Sequence, residues 1–215
     1  MIKSKMEYSI IPGILEKDWP SIEMKIQQVL PFAKAIHIDL IDGKFAPSAT
    51  FMDPQPFKKY TKDAFFELHM MVEEPINYLK PFSDAGFQRF IGHIEKMSDQ
   101  VEFVAKGQLL GEVGLGIDQD SELDKIEVSF SDLDILLFMT VKAGASNQEF
   151  AEKNLEKIKK TREKTFIPIE VDGGINDQTI FLAKKSGADR FVTTSFIFKE
   201  APQEQYKILQ ETLLH

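Results

Sequence analysis

The sequence predicts an α/β fold in which eight β-strands alternate with helices and close into a barrel. Short apolar runs and amphipathic stretches alternate along the 215 residues, which is typical of parallel strands joined by helices. The strands are almost continuously apolar, as expected where helices cover a sheet. An open doubly wound sheet would usually carry a Gly-rich nucleotide loop after its first strand. Residues 12–15 read PGIL instead, so the closed barrel is preferred.

The first half of the chain supplies four predicted strands and three helices. The first strand is expected to end at Pro12-Gly13, because this pair favours a turn. The first helix has apolar residues, among them Ile22 and Ile26, at the spacing that buries one face. The predicted strands are residues 8–11, 35–41, 65–71 and 89–94, and the predicted helices are residues 20–30, 76–82 and 101–106.

The second half repeats the pattern, and its strongest strand is ILLFMTV at residues 135–141. The helix after it is rich in charge, with Phe150, Leu155 and Ile158 expected to face inward. The strands are residues 112–117, 135–141, 167–171 and 190–194, and the helices are residues 123–126, 148–162, 178–186 and 203–214. Neither a linker nor a low-complexity tract interrupts the chain, so residues 1–215 are predicted to form a single domain.

Composition narrows the classes of function. A net charge of -8 argues against a nucleic-acid partner or an anionic membrane, because neither is attracted to an acidic surface. The chain has no cysteine, which excludes disulfides, thiolate metal sites and thiol nucleophiles. The N-terminus MIKSKMEYSII lacks the apolar segment of a signal peptide, and nothing later approaches a membrane span. A cytoplasmic enzyme or binding protein is therefore expected.

Histidines and acids gather at the predicted strand ends. Of four histidines, His37, His69 and His93 fall near the ends of the second, third and fourth strands. Asp39 shares a face with His37, because alternate side chains of a strand point the same way, and Asp172 ends the seventh strand. Barrels of this kind build their active sites at the C-terminal strand ends. His37, Asp39, His69 and Asp172 are thus a candidate donor set for zinc, manganese or iron(II), although each could instead be a hydrogen-bonded polar residue at a strand end.

Six segments carry a family resemblance. They are HIDLIDGKFAPSATF at residues 37–51, LHMMVEEP at 68–75, HIE at 93–95, FMTVKAG at 138–144, VDGGI at 171–175, and SGAD followed by TSFIF at 186–198. With these in the same order and spacing, the chain resembles the ribulose-phosphate 3-epimerase family along nearly its whole length. The combination of HxDxxDG, LHxMV and VDGGI is specific. The resemblance implies a (β/α)8 TIM barrel of the ribulose-phosphate-binding type and a homo-oligomer.

The resemblance also implies a reaction and its residues. His37, Asp39, His69 and Asp172 correspond to the family's ligands for one divalent metal ion, with zinc expected and iron, manganese or cobalt as alternatives. Asp39 and Asp172 correspond to its two acid/base groups. The implied reaction interconverts D-ribulose 5-phosphate and D-xylulose 5-phosphate. One carboxylate removes the proton of carbon 3, the other supplies its replacement from the opposite face, and the metal stabilises the ene-diolate between.

Substrate contacts follow the family less closely. Met71 and Met139 match methionines near the reacting carbons, while Ile41 replaces a third. From the residues alone, simple core packing accounts for Met71 and Met139 as well as a substrate contact does. Gly144, Gly173, Gly174, Thr194 and Ser195 fall on the phosphate-binding loops, which use backbone N–H groups.

Several positions depart from the family pattern. Gly13 replaces a serine of the first strand, and Thr194 replaces a glycine. The loop at residues 143–148 reads AGASNQ instead of PGFGGQ, and residues 117–121 after the fifth strand read IDQDS. The altered loops leave two alternatives open: an epimerase of another ketose phosphate, such as allulose 6-phosphate, or a non-catalytic sugar-phosphate-binding protein. A related decarboxylase is disfavoured, because its Asp-x-Lys-x-x-Asp arrangement is missing after the third strand.

Overall fold

The computed structural model describes residues 8–144 and 148–214, and these residues contain a closed barrel. Eight parallel strands pair in chain order, and the last pairs with the first. The predicted (β/α)8 barrel is therefore confirmed. The strands are β1 (Ser9–Ile14), β2 (Ala35–Ile41), β3 (Phe65–Met71), β4 (Arg89–His93), β5 (Glu112–Ile117), β6 (Ile135–Met139), β7 (Ile169–Asp172) and β8 (Arg190–Thr193).

Six α-helices lie among the described residues. Asp18 and Asp99 cap α1 and α3 by accepting hydrogen bonds from backbone N–H groups of their first turns. None of the helices in the described parts is long and apolar enough to cross a membrane. The helices are α1 (Trp19–Val29), α2 (Ile76–Asp84), α3 (Gln100–Gln108), α4 (Leu155–Arg162), α5 (Thr179–Lys185) and α6 (Pro202–Leu214).

The predicted end of the first strand was wrong. Pro12 and Gly13 do not form a turn; β1 continues through them to Ile14. Pro12 pairs in register with Thr193 of β8, and Gly13 with His37 of β2. Pairing on both sides outweighs the local turn preference of a Pro-Gly pair, although proline gives up one backbone donor.

Two predicted helices were also wrong in extent. Residues 123–126 form only a short 3-10 turn, Leu123–Lys125, so β5 and β6 are joined without an α-helix. The helix predicted over residues 148–162 begins at Leu155, after a 3-10 turn. The N–H of Ala151 donates to the carbonyl of Thr140 at 2.7 Å, which ties this segment to the end of β6 and delays the helix. Residues 145–147, which belong to the altered loop, and His215, the fourth histidine, lie outside the described residues.

The alternation of side chains along each strand separates two cores. On β2, Ile36, Ile38 and Leu40 belong to the large apolar cluster that packs under the helices. The side chains between them, His37 and Asp39, point into the barrel. The interior therefore holds buried polar groups at mid-height, beside a smaller apolar cluster that includes residues of β3 and β6. This division places the candidate ligands inside a rigid, closed sheet.

Candidate active site

Four side chains from three strands meet inside the barrel. His37 and Asp39 come from β2, His69 from β3 and Asp172 from β7, and one donor atom of each lies within 4.8 Å of the others. Nδ1 of His69 is 2.8 Å from Oδ1 of Asp39 and 3.5 Å from Oδ2 of Asp172. Nε2 of His37 is 3.3 Å from Oδ1 of Asp39. The structure thus brings the four sequence-predicted ligands together, and all four are buried.

The donor set fits a divalent cation. Nε2 of His37 is buried and has no hydrogen-bond partner among the described residues, although it faces Asp39. Two imidazole nitrogens and two carboxylates are ligands that zinc, manganese and iron all accept. Burial raises the pKa of Asp39, but the neighbouring imidazoles of His37 and His69 outweigh that and lower it. Burial lowers the pKa of His37, but Asp39, Glu170 and Glu67 raise it well above its usual value. These acids therefore attract positive charge to the cluster, which protons on the imidazoles or a bound cation can supply.

A buried ionic layer lies next to His37 and holds its ring. Nδ1 of His37 donates to Oε1 of Glu67 at 2.8 Å. The other oxygen of Glu67 accepts from Arg89 at 2.5 Å and from Arg190 at 2.8 Å, and Arg190 also donates to Glu170 at 2.8 Å. Although burial raises the pKa of Glu67, the charge of Arg190 and the bond from His37 lower it, so Glu67 is ionised. A carboxylate on the far nitrogen of a ligand histidine fixes the tautomer and strengthens the ligand.

His37, Glu67 and Glu170 also lie close enough together to suggest a second metal site. Arg89 and Arg190, however, already supply positive charge to these acids. A further cation there would be repelled by the guanidinium groups, so we interpret this layer as structural. This layer was not predicted from the sequence. The available indication was Glu67 itself, an acid inside an apolar strand and two residues before His69, on the same face.

Behind His69, a second pair of side chains holds its ring. Nε2 of His69 and Nε2 of His93 are 2.8 Å apart, and Nδ1 of His93 is 2.8 Å from Oε2 of Glu95. Because Glu95 accepts the proton of His93 Nδ1, Nε2 of His93 is left as an acceptor for His69 Nε2–H, and His69 Nδ1 faces the acids with its lone pair. The bond from His93 lowers the pKa of Glu95 to about 2, against the effect of burial.

A cleft opens over the cluster at the C-terminal ends of the strands. Asp39 and Asp172 form part of its wall. All seven residues that were predicted to contact the substrate also line the cleft. Residues that were not predicted, such as Leu15 and Gln148, line it as well. The seven predicted residues are Met71, Met139, Gly144, Gly173, Gly174, Thr194 and Ser195.

Glycines shape the rim of the cleft after β6 and β7. Gly144, Gly173 and Gly174 have φ values of 100°, 110° and 67°, a region that glycine adopts without steric cost. A Cβ added to Gly173 would lie 2.6 Å from Cγ2 of Val141, so the position has no room for a side chain. Loops of this kind present backbone N–H groups, which barrels commonly use to hold a phosphate group.

Comparison with known proteins gives consistent matches. The family model described as "Ribulose-phosphate 3 epimerase family" matches residues 9–198. A protein of Oryza sativa subsp. japonica named "Ribulose-phosphate 3-epimerase, cytoplasmic isoform" is 31% identical, over 95% of this chain and 93% of its own length. Proteins named "Ribulose-phosphate 3-epimerase" from Bacillus subtilis and Schizosaccharomyces pombe are 31% and 29% identical, over 91% and 97% of this chain and 94% and 95% of their own lengths.

Solved structures share the architecture at low identity. A 3-keto-L-gulonate-6-phosphate decarboxylase from Vibrio cholerae superposes with a TM-score of 0.75 at 13% identity, covering 96% of this chain and 97% of its own. A 3-hexulose-6-phosphate synthase from Salmonella typhimurium gives 0.71 at 15% identity, covering 96% and 98%. At these identities the likeness concerns the fold alone.

Proposed function

The chain belongs to the ribulose-phosphate 3-epimerase family, and from this premise we propose that it interconverts D-ribulose 5-phosphate and D-xylulose 5-phosphate. One observation carries the proposal beyond family membership. Asp39 and Asp172 enter a single cleft from β2 and β7, and both lie beside the same two buried imidazoles. Two carboxylates facing one volume from different strands are what inversion at a carbon next to a carbonyl requires.

The two carboxylates act as a base and an acid on opposite faces of carbon 3. In one direction, one aspartate takes the proton of carbon 3 while the other returns a proton to the opposite face; in the reverse direction the roles exchange. Each positioned group of this kind contributes roughly 10²–10⁴-fold in rate. The lowered pKa of Asp39 keeps it ionised near neutral pH, so it is free to accept a proton, although the same lowering makes it a weaker base.

We propose that His37, Asp39, His69 and Asp172 hold one divalent cation, with zinc expected and iron, manganese or cobalt as alternatives. When bound, the cation would stabilise the negative charge that develops on the substrate oxygens. Glu67 and His93 keep the two imidazoles in the tautomers that present Nε2 of His37 and Nδ1 of His69 to the acids.

The rest of the cleft binds the substrate. Met71 and Met139 are buried in the wall beside the acids, where their apolar side chains exclude water from the reacting carbons. Gly173 and Gly174, with Ser195 after β8, form the rim that we assign to the phosphate group. We also predict that the protein is a homo-oligomer and that it is located in the cytoplasm. The name of the Oryza relative supports the location.

The experiment that tests the proposal follows exchange of the carbon 3 proton by NMR in deuterium oxide. Ribulose 5-phosphate should be converted by the wild-type protein to xylulose 5-phosphate that carries deuterium at carbon 3, and Asp39→Asn and Asp172→Asn should each lower the rate of this conversion by roughly 10²-fold or more. Asp134→Asn is the matched control, because Asp134 accepts a hydrogen bond from the N–H of Val113 at the opposite end of the barrel. Exchange that survives both active-site substitutions would rule out the acid/base pair.

The same assay distinguishes the second candidate, an epimerase of another ketose phosphate. The altered sequences at residues 117–121 and 143–148 favour it, and Gly144 and Gln148 line the cleft. Faster exchange with allulose 6-phosphate than with ribulose 5-phosphate would identify that substrate class. Binding of ketose phosphates without any exchange would instead identify a non-catalytic sugar-phosphate-binding protein.

A further inference from the structure

Gly13 occupies a position where the backbone does not require glycine. It lies within β1, and its φ angle is not among the positive ones. A Cβ added there would lie 2.4 Å from Oγ1 of Thr194 and 2.8 Å from Cγ1 of Val192. Real Cβ atoms do not approach other atoms so closely, so a side chain at position 13 and the present side chain of Thr194 exclude each other.

The hydroxyl of Thr194 lies in the wall of the candidate active site. Thr194 lines the cleft with Asp39 and Asp172, is partly exposed, and makes no side-chain hydrogen bond with any residue that the structure describes. A hydroxyl can donate one hydrogen bond and accept two. Gly13, against which this hydroxyl packs, pairs in register with His37. The free hydroxyl is therefore close in height to the ligand cluster.

We propose that the Thr194 hydroxyl binds an oxygen of the substrate's sugar chain, and that Gly13 provides the space for it. This inference rests on the proposed function and names a specificity-determining residue for it. The position between β8 and β1, level with His37, favours the sugar chain over the phosphate group, for which the glycines after β7 are available.

The first test separates the hydroxyl from the shape of the side chain. Thr194→Val keeps the shape and removes the hydroxyl, whereas Thr194→Ser keeps the hydroxyl. We expect Thr194→Val to weaken calorimetric binding of ribulose 5-phosphate about 2- to 10-fold, the range for one lost hydrogen bond, and Thr194→Ser to stay within about twofold of wild type. Inorganic phosphate should bind all three proteins equally.

The second test uses the steric exclusion. Gly13→Ser alone should lower the urea midpoint of unfolding and weaken ribulose 5-phosphate binding, because the new side chain collides with Thr194. Thr194→Gly alone should weaken ribulose 5-phosphate binding, because it removes the hydroxyl. The double variant Gly13→Ser with Thr194→Gly removes the closer of the two collisions, leaves the one with Val192, and restores a hydroxyl on β1. Its midpoint and its affinity should therefore exceed those of the Gly13→Ser protein.

These readouts distinguish failure of the inference from failure of the proposed function. If wild type binds ketose phosphates but exchanges no carbon 3 proton, the epimerase proposal fails, while the binding comparison still tests Thr194. Unchanged ribulose 5-phosphate affinity in Thr194→Val, or an equal loss of inorganic phosphate, would overturn the assignment to the sugar chain. Additive effects on the urea midpoint of the double variant would overturn the role of Gly13.

Discussion

Replacing Glu67 by glutamine is expected to damage the metal site from outside the donor set. Glu67 is fully buried, contacts Nδ1 of His37, and accepts from both Arg89 and Arg190. Glutamine preserves the shape and one acceptor but removes the charge. The imidazole of His37 then becomes a weaker ligand, and the two guanidinium groups lose their shared counter-charge.

Both effects have expected magnitudes. Loss of a residue that orients a metal ligand typically lowers metal affinity about 10- to 100-fold. Removal of one partner from a buried ion pair costs on the order of 3 kcal/mol, and both arginines here are largely buried, with side-chain exposures of 9% and 14%. For a chain of this size such a loss lowers Tm by about 10 °C.

The assay pairs calorimetric zinc titration of chelator-treated protein with urea unfolding. Glu112→Gln is the matched control, because Glu112 also accepts from Arg89 but is 45% exposed and makes no contact with His37 in the described structure. An exposed pair of this kind contributes about 0–1 kcal/mol, so the control should bind zinc like wild type. If Glu67→Gln and Glu112→Gln behave alike in both measurements, Glu67 does not orient His37.

Three further predictions concern the groups around the cleft. His93→Phe should lower zinc affinity about 10- to 100-fold, because Nε2–H of His69 loses its acceptor; calorimetric titration measures this. Glu95→Gln should be destabilised at neutral pH on the order of 2 kcal/mol, since the pKa of Glu95 in the folded protein, about 2, lies below the usual unfolded value of about 4.3. The stabilisation by ionised Glu95 is fully present above the pKa of the unfolded state, and it is lost as the pH falls toward the pKa of the folded state. The difference in unfolding free energy between wild type and Glu95→Gln should therefore narrow from pH 5 to pH 3 in urea titrations. Gly173→Ala should lower the unfolding free energy by about 1–3 kcal/mol, because it combines a φ of 110° with a collision against Val141; urea unfolding checks it.

Each of these has an outcome that would contradict it. Unaltered zinc affinity in His93→Phe would show that His93 does not set the tautomer of His69. A constant difference between wild type and Glu95→Gln from pH 5 to pH 3 would remove Glu95 from the acid response. Gly43→Ala is the control for Gly173→Ala, because Gly43 has φ 79° but its added Cβ meets nothing closer than 3.9 Å; equal losses would mean that the collision with Val141 has no effect.

The sequence alone determined the features that depend on local pattern. Apolar runs located all eight strands, and the alternation of side chains put His37 and Asp39 on one face before any strand pairing was known. The barrel rule then placed His69 and Asp172 at the same end. The errors arose where tertiary contacts opposed local preference, as at Pro12-Gly13, which pairs with two strands instead of turning.

Only the tertiary structure decided which distant groups touch. Glu67 and Arg190 are 123 positions apart in the chain, and closure of the barrel is what makes them partners. Gly13 and Thr194 are similarly remote, and their mutual exclusion arises because β8 returns to pair with β1. A strand pattern states which way a side chain points, whereas the group it meets depends on the curvature and register of the whole sheet.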